Sequence, residues 1–244
     1  MSMTRFALVL GASGGIGEVI CKQLAKAGWS LYMHYNANKN QLNLLRYELE
    51  ENYPNQQFRS VQADFRVELA AEKLAGSIQS VQAIVVANGQ AVVKLLSETS
   101  EKEMSELWQV HVQNPARLIA LLSEKLRKQD VSYIVFIGSI WGSTGSAGEV
   151  MYSAVKGAQH AFVKAYAKES AFSGIRVNAI APGWIDTRMN QEFSAEERQM
   201  VLEQIPLLSV GTPQEIANMV EFMLSGKADY MTGEIIQING GWYM

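Results

Sequence analysis

Short apolar runs rich in β-branched residues alternate with longer amphipathic stretches along the whole chain. Several runs are almost continuous in Val, Ile and Leu, which is typical of strands covered on both faces of a sheet. The runs predict strands at 5–10, 30–35, 58–63, 83–87, 133–138, 176–181 and 234–238. The stretches between them show helical periodicity, for example at 16–27, 41–51, 104–127 and 152–170, and each is long enough for a crossover helix.

This alternation predicts a single α/β domain over residues 1–244, with a Rossmann fold. Repeated strand, helix, strand units with right-handed crossovers build a doubly wound, seven-stranded parallel sheet flanked by helices. No linker, low-complexity segment or internal repeat interrupts the pattern. In such a sheet a ligand binds beyond the carboxyl ends of the strands, where the strand order reverses.

Composition narrows the possible partners. The 244 residues are 48% hydrophobic, and their 21 Lys and Arg against 24 Asp and Glu give a net charge of −3 without a basic block, so we do not expect nucleic-acid binding. The opening apolar run ends at Gly11 and is too short for a signal peptide or a membrane span, which predicts a cytoplasmic protein without a membrane partner. One cysteine and three scattered histidines predict neither a disulfide nor a metal site.

A glycine-rich turn joins the first predicted strand to the first helix. Backbone amides and the helix dipole at such a turn can bind a pyrophosphate, although the same pattern also serves as a tight turn without a ligand. A nucleotide-hydrolysing P-loop is excluded because no Gly-Lys-Ser/Thr ending follows. The predicted contacts to a dinucleotide are Gly11, Ser13, Gly14, Gly15, Ile16 and Gly17.

Three polar side chains are candidates for proton transfer. Tyr152 and Lys156 lie four residues apart in a helical pattern and therefore share a face, and Ser139 follows the fifth strand. A Lys ammonium beside a phenol favours the phenolate, so we expect the pKa of Tyr152 to be lowered toward neutrality. The alternative is an aromatic and a basic residue at helical spacing without a catalytic role.

Three motifs follow one another in the order Gly11-x-x-x-Gly15-x-Gly17, Gly138-Ser139 and Tyr152-x-x-x-Lys156. With these motifs, essentially the entire chain resembles the short-chain dehydrogenase/reductase family. The resemblance implies hydride transfer between a nicotinamide cofactor and a carbonyl carbon. Tyr152 would protonate the developing alkoxide, Ser139 would orient the carbonyl, and Lys156 would also contact the nicotinamide ribose.

The resemblance also places further cofactor contacts. They are Asp64, Phe65, Asn88, Gly89, Pro182, Gly183, Ile185 and Thr187. Asp64 would bind adenine or, alternatively, cap the following helix. The family's Asn-Asn-Ala-Gly motif is replaced by Val86-Ala87-Asn88-Gly89, so polar support for the central sheet must come from elsewhere.

The second strand ends without the carboxylate that binds the adenosine ribose of NAD. No Asp or Glu occurs between Glu18 and Glu48. NADP(H) is therefore favoured, with Asn36 and Lys39 as candidate phosphate contacts, and NAD(H) stays possible. Lys39 could instead be a surface charge.

His111 occupies the position at which most members of the family carry an Asn that supports a proton-relay water. Three interpretations are open: a packed and hydrogen-bonded interior histidine, a neutral imidazole that holds the water, or a group that titrates near neutrality and gates turnover.

The substrate is indicated by two related branches of the family. Gly174-Ile175-Arg176, Thr232-Gly233-Glu234 and Asn239-Gly240-Gly241 resemble 3-oxoacyl-acyl-carrier-protein reductases, but Asp130 and Ser173 stand where those enzymes use arginines to bind the carrier. A closer resemblance is to bacterial reductases of the 5-aminopentanone modification on a lysine of elongation factor P. It is carried by His111-Val112, by Ser139-Ile140-Trp141-Gly142, by 149–159 and by Asn239-Gly240-Gly241-Trp242-Tyr243.

Three residues are candidates for contact with that substrate. Glu149, three residues before Tyr152, could pair with a cationic amine or, alternatively, interact with the helix dipole. Trp141 and Trp184 could form pocket walls or ordinary core. By analogy with the family, residues 188–208, with Met189, Phe193 and Met200, would form a substrate lid.

Other classes of function stay in view. A dinucleotide-binding sensor without catalysis would share the fold and explain His111 and the altered Val86–Gly89 motif. An extended epimerase is disfavoured because no sizeable substrate domain follows the seventh strand. The family resemblance further implies a homotetramer.

Overall fold

The protein is described by a computed structural model that covers residues 5–187 and 194–244. Seven strands form one parallel sheet in the order β3-β2-β1-β4-β5-β6-β7. The predicted doubly wound, seven-stranded Rossmann fold is confirmed. The strands are β1 Phe6–Leu10, β2 Ser30–Tyr35, β3 Phe58–Gln62, β4 Ala83–Val86, β5 Ser132–Ile137, β6 Ile175–Pro182 and β7 Ile235–Ile238.

Helices cover both faces of this sheet. They are α1 Gly15–Lys26, α2 Lys39–Asn52, α3 Ala70–Ser77, α4 Glu101–Trp108, α5 Asn114–Arg127, α6 Trp141–Thr144, α7 Val150–Ser170, α8 Ala195–Leu202 and α9 Pro213–Leu224. Single 3-10 turns occupy Leu96–Glu98 and Ala171–Ser173, and a π-helical turn occupies Gln109–Gln113.

Successive residues of a strand point to opposite faces, and the two faces of the sheet have separate cores. Leu8 and Leu10 of β1 pack toward α3, α5 and α7, whereas Ala7 and Val9 pack toward α1, α2 and α9. All four side chains are fully buried. The near-continuous apolar runs of the sequence follow from this double coverage.

The long helix predicted at 104–127 is interrupted, which corrects the sequence interpretation. The π-helical turn separates α4 from α5, and Pro115 at the start of α5 has no amide hydrogen to donate to the preceding turn. The wider turn leaves the carbonyl of His111 available to accept a hydrogen bond of 2.8 Å from Gln159 Nε2 on α7. The interruption therefore ties this segment to the helix that carries Tyr152.

The strand order reverses between β1 and β4, so the expected ligand crevice lies at the carboxyl ends of these two strands. Of the predicted lid, Met189 and Phe193 lie outside the described residues, whereas Met200 is an exposed residue of α8. Within residues 5–187 and 194–244, no helix combines the length and apolar composition needed to cross a membrane.

Candidate active site

A cavity of about 940 Å³ lies at the carboxyl edge of the sheet, a volume typical of cofactor and substrate sites. With the exception of Lys39, every residue singled out above as a catalytic, cofactor or substrate contact lines this cavity. The structure thus brings together the glycine turn, the residues after β3 and β4, the Ser-Tyr-Lys group and the segment after β6.

The glycine turn forms one wall because two of its positions have no room for a side chain. Gly11 has a φ of +75°, and a Cβ there would come within 2.8 Å of the backbone of Ala87 and Asn88. A Cβ at Gly17 would lie 2.1 Å from the Gly11 carbonyl oxygen. Gly14, the residue before α1, supplies no capping side chain, so the first amides of this helix face the cavity without competition from a cap.

Asp64 and Phe65 line the end of the cavity next to β2 and β3, together with Asn36 and Arg66. The Arg66 guanidinium donates to both Asp64 carboxylate oxygens, at 2.9 Å (Nε–Oδ1) and 2.6 Å (Nη2–Oδ2), and holds the pKa of Asp64 below its usual value. The capping alternative for Asp64 is wrong, because Leu69 immediately precedes α3.

Lys39 is the exposed first residue of α2 and is not among the cavity-lining residues. The neighbouring Asn38 lines the cavity instead. Of the two candidate phosphate contacts, only Asn36 therefore faces this site.

The segment after β6 forms the opposite wall. Pro182 ends the strand, and the Gly183 amide donates to the Ile238 carbonyl at 2.9 Å. The side chain of Thr187 lies so close to Gly15 that a Cβ at this glycine would be 3.3 Å from it. This contact brings the segment after β6 against the start of α1.

Tyr152 and Lys156 project into the cavity from the first two turns of α7, and Ser139 follows β5. Lys156 is 4% exposed, and its Nζ donates to the Ile137 carbonyl at 2.9 Å and lies 5.5 Å from the centre of the Tyr152 ring. Burial lowers the pKa of Lys156 to about 7.

The expected fall in the pKa of Tyr152 is wrong for this arrangement. Burial of the phenol and the nearby Glu149 carboxylate raise its pKa above the usual value, and a hydrogen bond with Ser139 opposes them only in part. Lys156 does not reverse the rise in the pKa of Tyr152. Its own pKa is lowered by burial, and no carboxylate among the described residues pairs with it. Tyr152 is therefore a protonated phenol at neutral pH.

His111 is 1% exposed, and its ring meets the Tyr152 ring edge to face with centroids 5.7 Å apart. Nε2 lies 2.8 Å from the Gln90 carbonyl oxygen and 3.2 Å from the Gln90 amide nitrogen, and the shorter contact favours a proton on Nε2. Burial lowers the pKa of His111 to about 3, so the interpretation that it titrates near neutrality is wrong.

Two interpretations of His111 remain: a hydrogen-bonded interior histidine, and a neutral imidazole that holds a water. Each applies to one nitrogen of the ring. Nε2 is hydrogen-bonded, but Nδ1 is buried without a partner in the described part of the chain. Asn88 shows the same division: its Nδ2 donates to the Val110 carbonyl at 2.8 Å, and its Oδ1 has no described partner. Buried polar atoms of this kind are usually satisfied by ordered water.

The far end of the cavity is aromatic and carries one carboxylate. Trp141 packs against Trp242 and Tyr243 with ring centroids 5.2 Å and 5.4 Å apart, and Trp184 also lines the wall. Trp184 is also buried, so it is both part of the pocket wall and part of the core.

Glu149 immediately precedes α7, where a carboxylate interacts favourably with the helix dipole, and its side chain makes no capping hydrogen bond. It is half-buried and lines the cavity. Burial raises its pKa, whereas hydrogen-bonding contacts with Ser146 and Trp141 lower it. No cationic side chain of the described residues pairs with it.

Sequence reasoning assigned no site role to several residues of this cavity, among them His34, Arg66, Gln90 and Trp242. Arg66 and His34 had a usable signal, since each lies within two residues of a position already assigned to the cofactor. Gln90 directly follows Gly89 and had the same signal, whereas Trp242 reaches the site through its tertiary contact with Trp141.

Comparison with known proteins places this geometry among oxidoreductases. Residues 11–243 match the family described as enoyl-(acyl carrier protein) reductase. An uncharacterized oxidoreductase of Bacillus subtilis strain 168 is 42% identical over 99% of this chain and 100% of its own length. A 3-oxoacyl-[acyl-carrier-protein] reductase of Staphylococcus aureus is 32% identical over the full length of both chains.

Two solved structures are similar over almost their full length. A short-chain dehydrogenase/reductase from Brucella melitensis has a TM-score of 0.90 at 27% identity and covers 98% of this chain and 97% of its own. A blue fluorescent protein from a metagenomic library, in complex with NADPH, has a TM-score of 0.92 at 26% identity and covers 100% of both chains.

Proposed function

The chain belongs to the short-chain dehydrogenase/reductase family of oxidoreductases, and on that premise we propose that it reduces an amine-bearing ketone to an alcohol with NADPH. The observation that carries the proposal is the position of Glu149. Its carboxylate faces the same cavity as Tyr152, is half-buried and lacks a cationic partner among the described side chains. A substrate ammonium would supply that partner.

The residues of the cavity have separate roles in this reaction. When bound, NADPH supplies the hydride that adds to the carbonyl carbon. Ser139 donates a hydrogen bond to the carbonyl oxygen and orients it, and Tyr152 gives its proton to the developing alkoxide. Tyr152 carries its proton at neutral pH and can donate it, and its raised pKa makes it a weaker acid than an ordinary phenol.

Lys156 and His111 restore that proton. Lys156 lies next to the Tyr152 ring, and its lowered pKa allows it to release and regain a proton near neutrality. His111 stays neutral, and its unpartnered Nδ1 can accept a hydrogen bond from a relay water. Lys156 also holds the nicotinamide ribose, in the role that the family resemblance implies.

The adenosine end of the cavity favours NADP(H) over NAD(H). Asn36, Asn38 and Arg66 line it, and its carboxylate, Asp64, is already paired with Arg66. A 2′-phosphate therefore meets no unpaired negative charge there and gains a nearby guanidinium. NAD(H) also fits this end but gains no such contact.

The aromatic end of the cavity favours an amine. Trp141, which contacts Glu149, and Trp242 line the same cavity as this carboxylate, and an ammonium is stabilised by both a carboxylate and aromatic rings. With the sequence resemblance, this arrangement supports the 5-aminopentanone on a lysine of elongation factor P as the ketone.

A 3-oxoacyl-acyl-carrier-protein substrate is the second candidate, favoured by the full-length similarity to the reductase of Staphylococcus aureus. Asp130 and Ser173 count against it, since neither offers the positive charge that attracts an acidic carrier protein. The homotetramer implied by the family stays a prediction. Trp108 on α4 is 47% exposed and offers apolar surface that a subunit interface would cover.

The test follows NADPH oxidation by the purified protein with three substrates: an amino-ketone, a neutral ketone of equal length and an acetoacetyl thioester. Tyr152→Phe is the blank, and its NADPH affinity should match that of the wild type. Preference for the amino-ketone is the expected result. Preference for the thioester would select the second candidate, and NADPH binding without turnover would favour a noncatalytic sensor.

A further inference from the structure

His34, the fifth residue of β2, is a buried side chain to which the proposed reaction assigns no role. It is 3% exposed and lies at the adenosine side of the cavity. Its Nδ1 accepts a hydrogen bond of 3.1 Å from the Gly11 amide, and its Nε2 lies 3.0 Å from the Ala63 carbonyl oxygen. The ring also stacks on Phe65, with centroids 4.9 Å apart. One imidazole thus connects the carboxyl ends of β1, β2 and β3.

The two partners fix the state of the ring. The Gly11 amide can only donate and the Ala63 carbonyl can only accept, so Nδ1 carries the lone pair and Nε2 carries the proton. A second proton would set two donors against each other at Gly11. The neutral imidazole therefore satisfies both contacts, and burial, which lowers the pKa of His34 to about 4, maintains that state at neutral pH.

The contact matters because Gly11 opens the glycine turn. Its positive φ and its tight approach to Ala87 and Asn88 leave no room for a side chain, and its amide donates to the His34 ring. Apolar residues lie beside it on both strands of the crevice: Leu10 precedes it on β1, and Val86 ends β4. The polar contact to the Gly11 amide is supplied by His34 of β2.

We propose that His34 is a positioning residue for the cofactor: it holds the Gly11 amide and Phe65 in the arrangement that receives the pyrophosphate and the adenosine. The proposal rests on the proposed use of a dinucleotide and does not depend on the identity of the ketone. Loss of the imidazole should therefore weaken cofactor binding and leave the Ser139-Tyr152-Lys156 chemistry unaltered.

Three variants separate this role from simple packing. His34→Phe keeps a ring to stack on Phe65 and removes both hydrogen bonds. His34→Asn places an amide oxygen near the position of Nδ1 and keeps an acceptor for Gly11. Met33→Leu is the control, since Met33 is fully buried one residue away and packs on the opposite face of the sheet.

Calorimetric titration with NADPH reports binding without turnover, and steady-state kinetics separate KM from kcat. His34→Phe should raise the Kd and the KM for NADPH about tenfold or more, with kcat at saturating NADPH within about twofold of wild type. His34→Asn should recover most of the affinity, and Met33→Leu should bind as wild type.

Two results would overturn the proposal: NADPH affinity of His34→Phe equal to that of Met33→Leu, or equally weak binding by His34→Asn and His34→Phe. If His34→Phe does not fold, His34→Gln replaces it, because its longer amide reaches toward Ala63 and offers Gly11 no acceptor at the Nδ1 position. The His34→Gln variant must then bind NADPH more weakly than the His34→Asn variant. Since binding is read by calorimetry, a wrong assignment of the ketone leaves this result intact.

Discussion

Replacement of Glu149 by Gln removes one negative charge from the substrate end of the cavity and keeps the size of the side chain. The amide has nearly the same shape as the carboxylate and keeps an oxygen for the contacts with Trp141 and Ser146. Since Glu149 has no cationic partner among the described residues, the change leaves no buried positive charge unpaired. The variant therefore removes the attraction between this carboxylate and a substrate cation, and it also removes one cause of the raised pKa of Tyr152, which acts on both ketones alike.

The size of the effect follows from the half-buried position of Glu149. Two unit charges 4 Å apart attract by about 4 kcal/mol at an effective dielectric constant of 20. Desolvation of the ammonium and partial access of water reduce this gain, and hydrogen bonds to charged groups contribute about 1.5–3 kcal/mol in proteins. We expect kcat/KM for the amino-ketone to fall about tenfold to hundredfold.

The assay compares kcat/KM of wild type and Glu149→Gln on the amino-ketone and on the neutral ketone of equal length. The loss should be confined to the amino-ketone and should shrink at high ionic strength. Asp186→Asn is the matched control, because Asp186 is an exposed carboxylate that pairs with Arg198 and does not line the cavity. An equal loss on both ketones would refute ammonium recognition by Glu149.

Two further predictions concern the fold. Gly17→Ala should lower the free energy of unfolding by at least about 2 kcal/mol, because its Cβ would lie 2.1 Å from a backbone oxygen. Gly76→Ala, in open space on α3, should raise the free energy of unfolding by up to about 1 kcal/mol. Urea titrations measure both values, and equal effects would contradict the packing argument. Burial lowers the pKa values of His34, His111 and the buried His160 on α7 to about 4, 3 and 4. The unfolded chain therefore binds more protons than the folded one, and stability should fall by about 1.4 kcal/mol per pH unit for each histidine as the pH drops from 6.5 toward 4. A melting temperature that is constant between pH 7 and pH 5 would contradict it.

The sheet could be predicted closely because double burial leaves a strong local signal. The β2 bounds agree with the sequence prediction, and the other strands differ by at most one residue at either end. The prediction of one helix over 104–127 failed because apolar periodicity continues through Gln109–Gln113, although Pro115, which has no amide hydrogen to donate, was a visible signal of an interruption. The hydrogen bond from Gln159 on α7 to the His111 carbonyl has no such signal in the sequence.

The residues of the cavity wall could be predicted from sequence motifs, whereas the pKa shifts of those residues could not. A motif such as Tyr152-x-x-x-Lys156 states which side chains share a helix face, and both do line the cavity. The direction of a pKa shift depends on how much water reaches each group. Burial raises the pKa of Tyr152 and lowers that of Lys156. The first shift is opposite to the expectation that the Lys156 ammonium lowers the pKa of the Tyr152 phenol.

Glu149 links substrate recognition to proton donation. Its charge is one of the causes that raise the pKa of Tyr152, so the carboxylate makes the phenol a weaker acid while it is unpaired. An ammonium bound beside Glu149 neutralises that charge and lowers the pKa of Tyr152 toward its usual value. A neutral ketone leaves the phenol unchanged. In the proposed reaction the amine therefore does more than anchor the substrate: it strengthens the acid that completes the reduction, and discrimination between the two ketones then rests on kcat as well as on KM.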